Sequence, residues 1–162
     1  MTFEIEVRGI EALRRKLGQN YKPVLQSITR AVGEELKKVM KVAPPRNPGP
    51  VVWASEAQRI WYFASRAKDG LPMRYTRNSD PWSQRLEASW DVKPVGATDS
   101  VLKNGATYAA YVQAEGRHGG IRQQPMHHYT GWITDEQAIA QVKASGVVQH
   151  IVKQAMTRAL GR

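Results

Sequence analysis

Residues 23–40 read PVLQSITRAVGEELKKVM, and they define the element around which the rest of this chain must pack. Apolar residues recur in this stretch at spacings of three and four, at Leu25, Ile28, Val32, Leu36 and Val39. That spacing places them on one face of an α-helix. Pro23 suits the first helical turn, and Pro44 and Pro45 should stop the helix, because a residue before proline is disfavoured in the helical region. The stretch predicts a long amphipathic helix with one buried face.

The residues before this helix predict a strand followed by a short helix. Residues 3–8 alternate apolar and charged side chains, which is typical of a half-buried strand that Gly9 ends. Ile10, Leu13 and Leu17 then follow at helical spacing, and Gly18 should stop that segment. The N-terminal part therefore combines both kinds of element.

A β-hairpin is predicted near the middle of the chain. Residues 86–93 alternate along the chain, and their apolar face consists of Leu86, Ala88, Trp90 and Val92. Residues 94–100 favour a turn, and residues 101–105 predict the second strand. We expect Trp90 to fill the core between this sheet and the helices.

Three helices are predicted after the hairpin. Residues 108–113 favour a short one. Thr134 starts the next with a capping box, because its side chain can accept from a first-turn N–H while Gln137 reaches back, and Ile133 can pack onto Ala138. Gly146 should break that segment. The last helix carries an apolar face made of Val148, Ile151, Val152, Ala155, Met156, Ala159 and Leu160.

Three connecting segments are predicted to lack regular structure. The proline-rich residues 44–50 indicate a stiff, extended connector. Ser55 can then cap a short helix that begins at Glu56. Residues 67–81 and 116–131 are rich in turn formers and predict loops, and loops this long in small domains are usually functional or disordered.

These elements predict a single α+β domain over residues 1–162. A small antiparallel sheet would pack against a long N-terminal helix and a C-terminal helix, with long loops or arms. An extended aromatic arm or loop region would span about residues 44–85. A chain of 162 residues is long enough to bury a hydrophobic core.

Composition excludes several classes of protein. The chain contains no cysteine, so disulfides, thiol catalysis and cysteine-ligated metals are excluded. Residues 1–16 lack the apolar core of a secretory signal, and no window approaches the roughly 18 apolar residues that a spanning helix needs. These features predict a soluble protein that is made and kept in a cytoplasm.

The net charge of +10 is spread over both ends of the chain. Residues 1–50 carry ten basic and five acidic side chains, residues 51–100 carry seven and six, and residues 101–162 carry seven and three. The three parts therefore contribute +5, +1 and +4. Such a dispersed field attracts polyanions such as DNA without reading their sequence, and a basic solvated surface explains it equally well.

Catalytic and metal-binding motifs are weak in this sequence. His118 with His127 or His128 and Glu115 could be read as a metal site, but zinc ligands usually come in tight pairs and adjacent histidines diverge. These histidines, with His150, are better explained as polar loop residues. No serine lies in a nucleophile elbow, and neither glycine-rich phosphate-binding motif occurs. We therefore expect no catalytic residue, no cofactor and no metal.

Residues 53–63 read WASEAQRIWYF and pack four aromatic side chains into eleven positions. These side chains could fill the core, stack on single-stranded nucleic acid, or anchor a subunit interface. A stacking platform would interleave aromatic residues with Lys and Arg on strands, and most aromatic residues here lie outside the predicted strands. Trp, Tyr and Arg are typical anchors of interfaces between subunits.

Several short motifs occur in an order that resembles a bacteriophage family. They are G-I-E-A-L at 9–13, Ala43-Pro44 after the long helix, W-A-S-E-A-Q-R at 53–59, L-E-A-S-W at 86–90, N-G-A-T-Y-A-A-Y-V-Q at 104–113, and a closing block of His128, Thr130, Gly131 and Trp132. In this order they resemble the tail-component or tail-completion proteins of long-tailed phages and prophages, often called minor tail or neck proteins. Residues 77–86 depart from the family pattern, because they are longer and lack its Thr-Gly turn.

The resemblance implies an α+β subunit that forms a homo-oligomeric ring at the head–tail joint or at the head-proximal end of the tail, without catalysis. It also implies contacts with other neck, connector and tail-tube or terminator proteins and with exiting genomic DNA, and no contact with a membrane. Candidate subunit-interface residues are Trp53, Gln58, Arg59, Trp61, Tyr62, Trp82, Arg85 and Trp132. Candidate DNA-channel residues are Lys37, Lys38, Lys103, Arg117 and Arg122.

Two other functions stay open from the sequence. A non-specific nucleic-acid-binding module is favoured by the positive charge and the aromatic residues, although no recognised fold signature accompanies them. A small hydrolase could use Glu115 and His128 in the loop at residues 115–128. We expect the structural role in a virion to prevail over both.

Overall fold

The structure is a computed structural model that describes residues 18, 21–44, 51–70, 85–106, 108–115 and 120–159. In chain order, these residues form the helices and strands α1 (Tyr21–Met40), α2 (Glu56–Lys68), α3 (Arg85–Ala88), β1 (Trp90–Val95), β2 (Asp99–Asn104), α4 (Ala109–Gln113), α5 (Pro125–Tyr129), α6 (Asp135–Ala144) and α7 (Val147–Ala159). The strand and helix predicted for residues 3–17, and the connector at 45–50, lie outside the described residues.

Helix α1 confirms the amphipathic pattern of residues 23–40. Its buried residues are Leu25, Ile28, Thr29, Val32, Gly33, Leu36 and Met40. Val39 is half-buried at the edge of this face, and the helix ends before Pro44, as expected. Gln113 Nε2 donates to Met40 O at 3.0 Å, which satisfies one of the carbonyl groups that a helix end leaves open.

Strands β1 and β2 form the predicted antiparallel hairpin, with Trp90 opposite Asn104. Gly96 lies in the turn with a φ of +63°, a conformation that glycine adopts without steric cost. The predicted boundaries of the first strand were wrong. Residues 85–88 form the single helical turn α3 instead, and residues 94–95 belong to β1 rather than to the turn.

Helix α1 approaches the hairpin most closely at Gly33. A Cβ atom at Gly33 would lie 2.8 Å from Val92 Cγ1, so a residue without a side chain is needed there. One turn earlier, Thr29 Oγ1 lies 3.1 Å from both Thr98 O and Ser100 Oγ. These contacts satisfy buried polar groups and fix the position of α1 along the sheet.

Helices α6 and α7 also pack against α1 and complete the main core. The predicted capping box is present, because Thr134 Oγ1 accepts from Gln137 N at 3.3 Å and Gln137 Oε1 accepts from Thr134 N at 3.1 Å. Gly146, with a φ of +73°, separates the two helices as predicted. The half-buried residues of α7 that contact the core are Val147, Val148, Ile151, Val152 and Ala155.

A second, smaller apolar cluster joins α3 to α4. It contains Leu86, Ala106, Ala109 and Val112, with Tyr108 and Trp132 at its edge. Asn104 ties it together, because its Nδ2 donates to Leu86 O and its Oδ1 accepts from Ala106 N, both at 2.8 Å. The short helix predicted at 108–113 is confirmed, whereas the loop predicted at 116–131 contains the short helix α5.

The fold class is α+β, as predicted from the sequence. A two-stranded antiparallel sheet packs against α1, and Trp90 is buried in the core at 3% exposure. Within the residues that the structure describes, no helix is long and apolar enough to cross a membrane.

Candidate assembly surface

Helix α2 begins where the sequence predicts a cap. Ser55 Oγ accepts from Gln58 N at 3.1 Å, and Gln58 Oε1 accepts from Ala54 N at 2.8 Å. The two bonds fix the path by which the chain enters the helix. The helix continues to Lys68, so the loop predicted from residue 67 begins later than expected.

One face of α2 is held by a group of side chains that we call the aromatic clasp, namely Trp53, Tyr62, Phe63 and Arg66. The ring centroid of Trp53 lies 5.0 Å from that of Tyr62 and 5.9 Å from that of Phe63. Arg66 Cζ lies 5.5 Å from the centre of the Tyr62 ring, and Arg66 is only 5% exposed. Aromatic and cation–π contacts of this kind stabilise the packing of the segment before α2 against the helix.

The opposite face of α2 is apolar and exposed to solvent. It consists of Ala57, Ile60, Trp61 and Ala64, which recur at helical spacing, and we call these four residues the α2 outer face. Ile60 is 58% exposed and Trp61 is 70% exposed. Single exposed apolar residues are common on proteins, but a contiguous apolar stripe with a polar rim is typical of a site for another molecule.

One contact between α2 and the rest of the fold is made by its first turn. Gln58 Nε2 donates to Gln124 Oε1 at 3.0 Å, and Gln124 N donates to Tyr111 O at 2.9 Å. Among the described helices and strands, none packs extensively against α2. Helix α2 is therefore an appended helix, and its outer face has no cover from the described part of the chain.

Arg59 lies beside the α2 outer face and forms an exposed ion pair. Its Nε donates to both carboxylate oxygens of Glu56, at 3.0 and 2.9 Å. The hydrogen bond from Arg59 lowers the pKa of Glu56, so the pair stays charged at neutral pH. An exposed pair adds little stability, and its polar groups suit the rim of an interface.

The other candidate interface residues belong to other elements or lie outside the described residues. Trp132 is half-buried and packs at the edge of the cluster around Leu86 and Val112, so it stabilises the chain's own fold. Arg85 starts α3, and Trp82 falls outside the described residues. The structure thus brings together Trp53, Gln58, Arg59, Trp61 and Tyr62 on and beside α2, whereas Trp132 packs on the second apolar cluster.

The candidate DNA-channel residues lie on separate elements. Lys37 and Lys38 belong to α1, Lys103 is half-buried on β2, and Arg122 is exposed just before α5. Arg117 falls outside the described residues. The sequence alone does not show whether residues on these different elements share one surface.

Lys37 and Lys38 each have an acidic residue one turn away. Lys38 Nζ lies 2.6 Å from Glu35 Oε1, and Lys37 Nζ lies 3.8 Å from Glu34 Oε2. These pairs reduce the positive potential at the end of α1. The end of α1 is therefore a weaker attractor of phosphates than its two lysines alone would be.

The described part of the histidine-rich segment places His127 and His128 in α5. No group of three or more His, Asp or Glu residues there could hold a metal ion. Burial lowers the pKa of His127 from its ordinary value of 6.5 to about 4, so the ring is neutral at pH 7. Trp132 N donates to His127 O at 3.1 Å, and Glu115 N donates to the buried Asp135 Oδ1 at 3.0 Å. His118 lies outside the described residues.

Comparisons with protein-family models, with characterised proteins and with solved structures found no match to this chain.

Sequence reasoning missed Ile60 as a member of the exposed surface. The signal was present, because residues 57, 60 and 61 of WASEAQRIWYF and the following Ala64 have helical spacing. It was hidden by the neighbouring aromatic residues Tyr62 and Phe63, which belong to the other face of the helix.

Proposed function

We propose that this protein is a structural subunit of a long-tailed phage or prophage virion, and that it assembles as a ring at the head–tail joint or at the head-proximal end of the tail. The observation that carries this proposal is the α2 outer face. Ile60 and Trp61 are exposed there on a helix that none of the described elements covers. A partner would bury this face and gain the free energy of removing apolar surface from water.

The partner of the α2 outer face is a second copy of the same chain. A ring uses a head-to-tail contact, in which one surface of each copy meets a different surface of its neighbour. An appended helix with an apolar outer face is suited to be one of these two surfaces. Trp61 is the anchor, because tryptophan buried at the centre of an interface commonly supplies a large share of the binding energy.

The aromatic clasp presents this face in a defined orientation. Trp53 and Tyr62 contact each other on the inner side of α2, while Gln58 reaches the body at Gln124. Rigid placement reduces the entropy lost on association. The clasp residues Trp53 and Tyr62 therefore act indirectly, by holding Ile60 and Trp61 outward, rather than by contact with the neighbouring copy.

The order of motifs along the chain supports the choice of a phage neck over other assemblies. It is the resemblance to tail-completion proteins, covering residues 9–132, that suggests a ring between head and tail. In this role the protein has no catalytic function. Its other partners are neck, connector and tail-tube or terminator proteins, and it resides in the virion after assembly in the host cytoplasm.

The test is to place an early stop codon in the gene within its native replicon and to image the lysate by electron microscopy. Filled heads with separate or misterminated tails are the expected result. Supplying the intact gene in trans should restore infectious particles. Normal infectious particles without the protein would contradict the proposal.

A further inference from the structure

Helix α7 carries a second exposed surface, which differs in chemistry from the α2 outer face. The exposed side chains on one side of α7 are Gln149, His150, Lys153, Gln154, Thr157 and Arg158, and we call these six residues the α7 polar face. At about 100° per residue they cover about half of the helix circumference. The other half packs against the core of the protein.

The α7 polar face has positive charge that is not balanced by nearby acidic residues. In the described part of the chain, neither Lys153 nor Arg158 forms an ion pair with a carboxylate, whereas Lys37 and Lys38 each have a glutamate one turn away. Beyond Glu136, the sequence contains four Lys or Arg residues and no Asp or Glu. Residues 137–162 therefore carry a net charge of +4, and positive charge attracts polyanions.

The remaining side chains of this face are hydrogen-bonding groups without an apolar anchor. Gln154 Nε2 lies 2.8 Å from His150 Nε2, and the amide and hydroxyl groups of Gln149 and Thr157 are exposed beside them. None of the exposed large apolar residues of the described chain lies on α6 or α7. Protein interfaces have a desolvated core of apolar and aromatic side chains, whereas phosphate contacts need only cations, amides and hydroxyls.

We propose that the α7 polar face binds the phosphate backbone of double-stranded DNA without reading its sequence. Lys153 and Arg158 supply the charge, and Gln149, Gln154 and Thr157 supply hydrogen bonds to phosphate oxygens. The inference does not rest on the proposed ring, because a single copy of the chain carries the whole surface. In a ring, it would place α7 toward the DNA passage.

The two cations lie toward opposite edges of the α7 polar face. Lys153 and Arg158 are five residues apart, which corresponds to about 7.5 Å along the helix axis and about 140° around it. His150, Gln154 and Thr157 lie between them around the helix, so each cation would contact its own phosphate.

The test measures binding of the full chain to a fluorescently labelled random-sequence DNA duplex, by fluorescence anisotropy over a series of salt concentrations. The intact protein should bind at low salt and weaken steeply as salt rises. The double variant Lys153→Gln/Arg158→Gln should bind several-fold more weakly. Its logarithmic salt slope should fall by about 2, because each lost phosphate contact removes about 0.9.

The matched control is the double variant Lys37→Gln/Lys38→Gln, which removes the same charge from α1. It should keep most of the affinity and of the salt slope, because Glu34 and Glu35 already offset these lysines. Circular dichroism should show unchanged helix content for both variants. Equal loss of binding in the two variants would overturn the assignment to α7.

Two further results would also overturn the inference. One is the absence of DNA binding by the intact protein at low salt. The other is displacement of DNA by polyglutamate at equal charge concentration, which would indicate a surface for an acidic protein instead. An Ile60→Gln/Trp61→Gln variant should retain DNA binding, so failure of the proposed assembly and failure of this inference give different results.

Discussion

Helices α1 and α2 have the same kind of sequence pattern and opposite environments. Each carries apolar residues at spacings of three and four on one face. In α1 that face is buried beneath the hairpin, α6 and α7, whereas in α2 it is exposed, with Trp61 at 70% and Leu36 of α1 at 4%. Amphipathic spacing therefore predicts that one face of a helix will be buried. Only the structure shows whether the same chain buries it.

The two helices consequently differ in what their apolar residues stabilise. Burying a leucine or isoleucine side chain contributes about 1.5 to 3 kcal/mol relative to leaving it exposed. In α1 this free energy stabilises the folded monomer. In α2 it is available only when another molecule covers Ile60 and Trp61, so variants of the two helices should affect different measurements.

The largest effect is expected from Leu36→Ala in α1. This change removes buried methyl groups and leaves a cavity beside the hairpin, so the free energy of unfolding should fall by about 2 to 5 kcal/mol. Urea denaturation followed by circular dichroism measures it. The matched variant is Ile60→Ala on α2, for which the change should stay within about 0.5 kcal/mol. Similar losses for both would show that α2 is part of the core.

Gly33→Ala should give the next largest effect. Alanine normally stabilises a helix interior by about 1 kcal/mol relative to glycine. Here its Cβ would meet Val92 Cγ1 at 2.8 Å, and overpacking costs about 1 to 3 kcal/mol, so the net change should be destabilising. Urea denaturation of Gly33→Ala with and without Val92→Ala checks this. A smaller cost of Gly33→Ala in the Val92→Ala background is expected, and equal costs would contradict the close contact.

His127 should make the stability of the folded body depend on pH. Its pKa is lowered from 6.5 to about 4 by burial, so the unfolded chain binds the proton more tightly than the folded chain. The contribution is constant above pH 6.5 and is lost as the pH falls from 6.5 toward 4. Between pH 7 and pH 5 the loss should be on the order of 1 to 2 kcal/mol.

Urea denaturation of the intact chain and of His127→Gln at these two pH values isolates this contribution. The variant should lose less stability on acidification than the intact chain. The exposed His128 offers the control, because His128→Gln should retain the pH dependence. An unchanged pH dependence in His127→Gln would contradict the burial of this ring.

The smallest difference concerns the caps of α6 and α2. Thr134 is buried and caps a helix that packs against α1, so Thr134→Ala should lower the free energy of unfolding by about 1 kcal/mol. Ser55 makes the same kind of bond on an appended helix, so Ser55→Ala should fray α2 and change global stability by less than about 0.5 kcal/mol. Hydrogen exchange of the α2 amides should detect the fraying. Equal global losses would again place α2 within the cooperative core.

Elements with a long or chemically specific signal could be predicted from the sequence. The five apolar positions from Leu25 to Val39 gave α1, and Thr134 with Gln137 gave the start of α6. Residues 86–88 misled, because apolar residues at a spacing of two are typical of a strand, whereas in the helical turn that forms, Leu86 is buried and Ala88 is exposed. In the structure, this turn accepts a hydrogen bond from a residue that is distant in sequence, because Asn104 Nδ2 donates to Leu86 O.

The candidate surface was predictable only in part. The aromatic stretch was recognised as one unit, but Trp53 and Tyr62 pack on the inner side of α2 while Trp61 lies on the outer side. This division follows from the helical geometry of residues 56–68, in which Trp61 and Tyr62 point about 100° apart. The α7 polar face is not evident from the net charge of long segments, because the fold determines which cations, such as Lys37 and Lys38, pair with a nearby glutamate.

The most direct measurement of the central claim uses the replicon that carries the stop codon. The double variant Ile60→Gln/Trp61→Gln is supplied in trans, and particles are counted by plaque formation and imaged by electron microscopy. The matched control is Val42→Gln/Val95→Gln, which removes two exposed apolar side chains elsewhere on the fold. Urea denaturation should show that both variants are as stable as the intact chain.

The predicted result is that the control restores infectious particles and that the α2 variant does not. Lysates with the α2 variant should show the same unjoined or misterminated particles as the stop codon alone. Full restoration by a folded α2 variant would contradict the claim that the α2 outer face is the surface through which this protein assembles.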